Sequence, residues 1–374
     1  LRSTKSLPVA TESIATYVGT HNIKSPLPTN WKSKPDNEVI SKLKRTFDEK
    51  WWTGKIRKRT RKVIEAVMRD IGKVRNPKSP YISTYGLSRY KEQKRNSDDF
   101  IEIFEAVSNE GDVIPLKQAV DASVSNPTNR RAELMARMRG TQEVAEEIGL
   151  IPVFVTMTCP SKFHAFMGAT GRENPNYQGY SPQDGHGYLN RTWAQIRANS
   201  NKANISLFGI RICEPHHDGT PHFHFLLYIN PSQLDEFVAI FTKHNFKMDG
   251  DEPGAKKYRI DIEILNYSGS GPTGYIAKYI CKNIDGEGVG IDFETGEPAV
   301  TTAFRVRAWA STWGIRQFAS IGNTPVTVYR ELRRNRKPLP KDLPKFDFAC
   351  PLGDLIVRFL PDLLAKGHKF NQPI

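Results

Sequence analysis

The stretch "ISLFGIRICEPHHDGTPHFHFLLYI", residues 205–229, reads as two strands and the turn that joins them. Ile, Phe, Leu and Tyr crowd 205–213 and 222–229, and the Asp-Gly and Pro of "HHDGTP" punctuate the chain between them. Residues i and i+2 of a strand share a face, so His222 and His224 project together while Phe223 and Phe225 pack into the other side. If the two strands pair across the turn, Glu214 comes close to His222. Two imidazoles and one carboxylate, with no sulfur, suit Mg²⁺ or Mn²⁺ acting on phosphate and leave coordination positions open; zinc would accept the same ligand types. Taken alone, an HxH pair is more often packing than ligation, and His216 and His217 read as turn residues.

Outward from this hairpin, "IPVFVTMT" (151–158) reads as a buried strand, a Gly/Asn/Gln-rich loop runs to about 188, and 189–202 reads as a helix. Downstream, a helix is expected from about 231 to 245 and a strand in the alternating "KYRIDIEIL" (257–265). The order β-α-β-β-α-β predicts an α+β domain, a ferredoxin-like (RRM-like) antiparallel sheet with both helices on one face. A helix at 271–284, a polar hairpin-like insertion and an aromatic, basic helix at 303–318 follow. Upstream, residues 1–37 read as an extended arm and 38–150 as a basic α-helical domain, with Asn126 and Pro127 opening one helix and Gly149 closing it. The domain division expected is therefore 1–37, 38–150, 151–320, and a Pro-punctuated basic tail over 321–374 in which "GDLIVRFLPDLLAKG" adds a short helix.

With 38% hydrophobic and 10% aromatic residues, the 374-residue chain has enough apolar material for folded cores. Lys and Arg exceed Asp and Glu by 54 to 40, a net charge of +14 that points to an anionic polymer, nucleic acid above all. No apolar run approaches the roughly 20 residues that span a bilayer, and no signal-peptide pattern opens the chain, so a membrane partner is excluded and a cytoplasmic setting expected. The four cysteines form no CxxC pair and read as reduced thiols. A start at Leu1 rather than Met is compatible with a piece of a longer protein.

"GYIAKYICKN" places Tyr275 and Tyr279 four residues apart on one helix face, with Lys278 and Lys282 as a second such pair beside them. Two phenols and two ammonium groups on the helix after the HxH sheet are hard to explain as separate accidents. For tracking a nucleic-acid backbone, the basic candidates are Lys55, Arg57, Lys58, Arg59, Arg61 and Lys62, together with Arg305 and Arg307. The loop at 171–188 is a further candidate, while Trp309 and Trp313 at helical spacing read as core.

"EPHHDGTPHFH" followed by "YIAKYICK" resembles the HUH superfamily of single-strand endonucleases, in which His-hydrophobe-His binds the metal and a YxxxY helix supplies nucleophiles. With "DEKWWTGKIRK", "SVSNPTNRRAELM", "TMTCPSKFHAF" and "RAWASTWGIRQF", the chain is similar over about residues 35–336 to the bacteriophage replication gene A protein family of rolling-circle initiators. The resemblance implies an HUH endonuclease fold and a metal-dependent enzyme that nicks and rejoins single-stranded origin DNA through a 5′-phosphotyrosine. His222, His224 and Glu214 would bind Mg²⁺ or Mn²⁺, Tyr275 and Tyr279 would be the nucleophiles, and Lys278 and Lys282 would assist at phosphate or phenolate. It implies a host replicative helicase and polymerase as partners, in the bacterial host cytoplasm. A plasmid relaxase or HUH transposase, or a non-catalytic metal-containing nucleic-acid-binding module, are the alternatives.

Overall fold

A computed structural model describes residues 7–168 and 170–334. The expected short helix near 353–367 lies outside the described residues. The chain divides into two compact units, one through Val67 and one from Met68 onward, so the helical stretch expected over 38–150 is shared between them.

The first unit contains α1 (Leu7–Thr20), α2 (Asp36–Lys44) and most of α3 (Glu49–Asp70). Leu27, Val39 and Leu43 form its core, with Ile14 and Trp31 packed against them. Asp36 and Glu38 in the first turn of α2 and Lys42 and Lys44 in its last complement the helix dipole. The expectation of an extended arm over 1–37 is corrected by α1. Ile14 packs on the core and Val18, one turn later, is fully buried. Tertiary burial of one short apolar row stabilises a helix that the Ser, Thr and Pro content around it disguises.

The second unit opens with α4 (Thr84–Ile103), a small hairpin of β1 (Glu105–Val107) and β2 (Val113–Pro115), then α5 (Leu116–Ala122) and α6 (Pro127–Glu147). The side chain of Asn126 caps α6 by accepting from the Thr128 amide, and Pro127 occupies the first turn, as the sequence predicts. There follow β3 (Ile151–Thr158), α7 (Pro182–Lys202), β4 (Phe208–Pro215), β5 (Pro221–Ile229), α8 (Leu234–Asn245), the single turn α9 (Ala255–Tyr258) and β6 (Ile260–Ile264). The unit continues through α10 (Gly271–Ile284), α11 (Ala299–Trp313), β7 (Phe318–Ile321) and α12 (Val326–Arg334).

The main sheet runs β6-β3-β5-β4-β7, every neighbouring pair antiparallel. The four strands of the β-α-β-β-α-β run thus stand in the order fourth, first, third, second, and β7 is added at the edge beside β4. Several boundaries differ from the sequence reading: the strand expected over 257–265 starts only at Ile260, because 255–258 form the turn α9, and two helices differ by five residues or more. α11 ends at Trp313 because Gly314 takes up the left-handed conformation (φ 69°) that closes a helix, and the chain then extends into β7 instead of staying helical to 318. α7 begins at Pro182, seven residues early, under a capping box between Ser181 and Asp184; Gly185 and Gly187 within it obscure the helical pattern.

Both faces of the sheet are covered, which is why β4 and β5 are buried at every residue. On one face Trp193 of α7 and Phe241 of α8 pack on Phe225. On the other, Leu134 and Met138 of α6 and Ile276, Ile280 and Ile284 of α10 pack on Phe154, Ile210, Ile212, Leu226 and Tyr228. His222 and His224 share the face of Leu226 and Tyr228, so the sheet presents them towards α10. Among the described residues no helix is long and apolar enough to cross a membrane.

Candidate active site

In the β4–β5 ladder, Glu214 stands opposite His222, and Ile212 opposite His224. The two imidazoles meet with Nε2 atoms 2.8 Å apart, and Glu214 Oε2 lies 3.9 Å from His224 Nε2. One ligand atom from each of the three side chains lies within 4.8 Å of the others, and all three residues are buried. Burial, and then the neighbouring His216 imidazole at His222 and the Lys282 ammonium at His224, holds both imidazoles well below the usual histidine range. At neutral pH they are uncharged. Burial raises the Glu214 carboxyl to about 7 against the opposing pull of Lys282. Two neutral imidazoles and a buried carboxylate converging on one point form a donor set that fits a divalent cation.

Further side chains orient this cluster. Thr156 Oγ1 lies 3.0 Å from His224 Nδ1. Asn283 Nδ2 donates to Glu214, and its own amide oxygen accepts from Gln317 Nε2 at 2.9 Å. Lys282 Nζ lies 3.6 Å from Glu214 and 3.2 Å from Asp292, whose second oxygen accepts from the Tyr81 hydroxyl at 2.6 Å. Burial lowers the Lys282 ammonium, but Glu214, Glu294 and Asp292 more than offset this and hold it above the usual lysine range, so it stays charged. Lys282 therefore faces the carboxylates, whereas Lys278 stands over the phenol rings.

The tyrosines reach the cluster through the periodicity of α10. Its Ile276, Ile280 and Ile284 face is locked on the sheet, which sends the neighbouring row Tyr275, Tyr279, Asn283 across the strands. Tyr275 donates its hydroxyl to Glu263 of β6 at 2.8 Å. The Tyr279 ring lies 5.1 Å from Phe154 of β3 and 4.4 Å from His224 of β5, and Asn283 ends on Glu214 of β4. The Lys278 ammonium stands over both phenol rings, 4.5 Å from Tyr275 and 4.9 Å from Tyr279. Burial, followed by the Glu214 charge, raises the Tyr279 phenol to about 12; burial and the Glu263 hydrogen bond raise Tyr275 as well.

The turn between β4 and β5 is gripped by Arg69, a residue the sequence does not single out. Its buried guanidinium donates to the Asp218 carbonyl (2.7 Å), Thr220 Oγ1 (2.7 Å), the Phe163 carbonyl (2.6 Å) and the Tyr180 carbonyl (2.6 Å), and lies 3.3 Å from the Asp218 carboxylate. Trp309, fully buried, donates to the Gly219 carbonyl, and Trp313 is buried too, as their spacing predicts. The His216 ring lies 4.1 Å from that of His222, tilted against it, and meets Glu294 at 3.3 Å.

The remaining basic candidates lie on α11 and α3. Arg305 donates to Ser79 Oγ, and Arg307 lies 5.2 Å over the Phe304 ring, both half-buried. The basic run is on α3: Arg57, Lys58 and Arg59 are exposed, Lys55, Arg61 and Lys62 half-buried. Asn283 carried a readable signal, being the third member of the Tyr275–Tyr279 row; Asp292 and Tyr81, remote in sequence, carried none.

Comparison with known proteins places these observations in a group. The family model described as bacteriophage replication gene A protein matches residues 3–287. The chain is 41% identical over 320 residues to the replication gene A protein of Escherichia phage 186, covering 84% of this chain and 46% of that protein. It is 35% identical to the replication gene A protein of Escherichia phage P2, over 79% of this chain and 40% of that one. A probable replication endonuclease from a prophage-like region of Salmonella typhimurium is 36% identical over 81% of this chain and 38% of its own length. The chain spans less than half the length of these relatives. No solved structure matches it.

Proposed function

The chain belongs to the bacteriophage replication gene A protein family, and from that premise we propose that it is the nicking and joining part of a rolling-circle replication initiator, a transesterase acting on single-stranded origin DNA. The observation that carries the proposal is the Tyr279 phenol lying 4.4 Å from the His224 ring of a buried two-histidine, one-carboxylate cluster, with a second phenol one helical turn away. The fourth-first-third-second order of antiparallel strands supports a ferredoxin-like sheet of the HUH endonuclease type. Relatives named replication endonucleases support nuclease chemistry.

His222, His224 and Glu214 would hold Mg²⁺ or Mn²⁺, which supplies positive charge to a non-bridging oxygen of the scissile phosphate. A tyrosine Oη attacks phosphorus, the bond to the 3′ oxygen breaks, the phenol gives up its proton, and the departing 3′ oxygen takes one up. The products are a 5′-phosphotyrosine and a free 3′-OH, and no bond energy is lost. Lys278, above both rings, compensates the phenolate that burial otherwise disfavours. The 3′-OH can prime a host polymerase while the other tyrosine remains able to act on the regenerated origin.

The test is incubation of the chain with an end-labelled single-stranded origin oligonucleotide and Mg²⁺ or Mn²⁺, followed by a denaturing gel and peptide mass spectrometry. A protein-sized covalent shift mapping to Tyr275 or Tyr279, lost in the double Tyr→Phe variant, is expected. An adduct that persists in that variant removes these tyrosines from the chemistry, and no adduct with wild type leaves a nucleic-acid-binding module.

A further inference from the structure

Through residue 67 the chain carries fifteen Lys and Arg against six Asp and Glu, so nine of its fourteen net positive charges sit on less than a fifth of its length. In the same unit Tyr17 and His21 of α1, Phe47, and Trp52 and Ile56 of α3 line an open cleft of about 620 Å³. Its walls are unusually apolar for surface, with Tyr17 60% exposed, Phe47 68% and Ile56 50%. They are also held in place. Trp52 Nε1 donates to the Thr46 carbonyl at 2.8 Å, and the rings of Tyr17 and His21 stand edge-on to the indole at 6.1 and 5.7 Å. Trp52, Lys55, Ile56 and Arg59 fall at i, i+3, i+4 and i+7, so aromatic wall and basic groups share one face of α3.

We propose that this cleft is a subsite for single-stranded DNA: one unpaired base enters beside Tyr17, Phe47 and Trp52 while Lys55 and Arg59 hold the flanking phosphates. The assignment rests on the reading of the chain as acting on single-stranded DNA and adds a binding site remote in sequence from its chemistry. An apolar cleft alone would also suit a peptide side chain. The concentration of positive charge in this unit selects a polyanion, and the aromatic walls select one whose bases are unstacked, since every base has a face to stack and a duplex keeps its bases inside.

Two measurements on the full chain test it. Fluorescence anisotropy compares wild type with the Tyr17→Ala, Phe47→Ala double variant on a labelled single-stranded oligonucleotide and on a duplex of the same length. Loss of one stacked base predicts about 10- to 100-fold weaker single-strand binding, with duplex affinity within about twofold. Photo-cross-linking of wild type to an oligonucleotide bearing 5-iododeoxyuridine needs no variant, and adducts are expected on peptides covering residues 17–21 or 47–56. Unchanged single-strand affinity, an equal loss on duplex, or cross-links confined to residues beyond 67 would each overturn the assignment. The same preparation is assayed for the tyrosine adduct. Nicking with no cleft cross-link removes the subsite alone, and cleft cross-links without nicking remove the endonuclease reading alone.

Discussion

Arg69 is a cation with almost no water around it, 2% exposed and surrounded by carbonyls, a hydroxyl and the Asp218 carboxylate. Burial alone would push the Asp218 carboxyl up, but the Arg69 guanidinium and then His164 outweigh it and hold it well below the usual carboxylate range. Replacing Arg69 with Met leaves a buried charge without its partner, and breaking such a pair costs about 3–5 kcal/mol. Urea denaturation at pH 7 should record that loss. The pH dependence has a definite sign. A depressed folded value means the stabilisation is present above the roughly 3.9 of an unfolded aspartate and is lost as pH falls through the folded value. In Arg69→Met the same carboxyl stays buried without the guanidinium charge and takes up a proton more readily, so the difference between wild type and variant should be smaller at pH 4 than at pH 7. A difference independent of pH would mean that Arg69 acts only through its carbonyl contacts. At this scale the residues that gather in the candidate site were legible and their supports were not. His222, His224 and Glu214 follow from a period of two across a short turn, and Tyr275 with Tyr279 from a period near four. Arg69 contacts Asp218, 149 positions away, and Tyr81 contacts Asp292, 211 positions away; no local pattern encodes pairings of that range.

The β4–β5 hairpin could be read because both strands are buried on both faces and so appear as continuous apolar runs around an Asp-Gly turn. β7 could not be read from four residues, Phe318–Ile321, that follow the aromatic and basic α11 after only a short link. The start of α7 and the existence of α1 were hidden in the same way, by glycines in one and Ser, Thr and Pro around the other, where packing decided against local propensity. Within β4, Gly209 shows how closely the strands approach. Its φ is 149°, and a Cβ placed there would lie 1.9 Å from the Leu226 carbonyl oxygen. Backbone, with no flexible side-chain end to swing aside, must move. Gly209→Ala should destabilise the chain by about 3 kcal/mol, at the upper end for overpacking, measured by urea denaturation. Wild-type stability in that variant would mean that the β4–β5–β7 register can shift freely.

At the scale of the whole molecule, charge and chemistry are unevenly shared. The basic run lies on α3 and the tyrosines on α10, so affinity and cleavage should separate experimentally. Replacing Arg57, Lys58 and Arg59, all exposed, with Gln should flatten the slope of log affinity against log salt for single-stranded DNA by about 2, at roughly 0.7 for each phosphate that is no longer neutralised. Anisotropy titrations between about 50 and 200 mM salt measure it, and an unchanged slope would mean that this helix face does not follow the phosphate backbone. A last consequence comes from the ammonium of Lys278 standing over two phenol rings at once. One positive charge can neutralise one phenolate, so on the proposed chemistry both oxygens cannot be activated together. Once a strand end is esterified to one, the negative charge moves from that oxygen to the phosphodiester, and the cation can turn to its neighbour. Alternation between two otherwise similar nucleophiles would then need neither a moving part nor a nucleotide fuel, because occupancy of the first is itself the signal that arms the second.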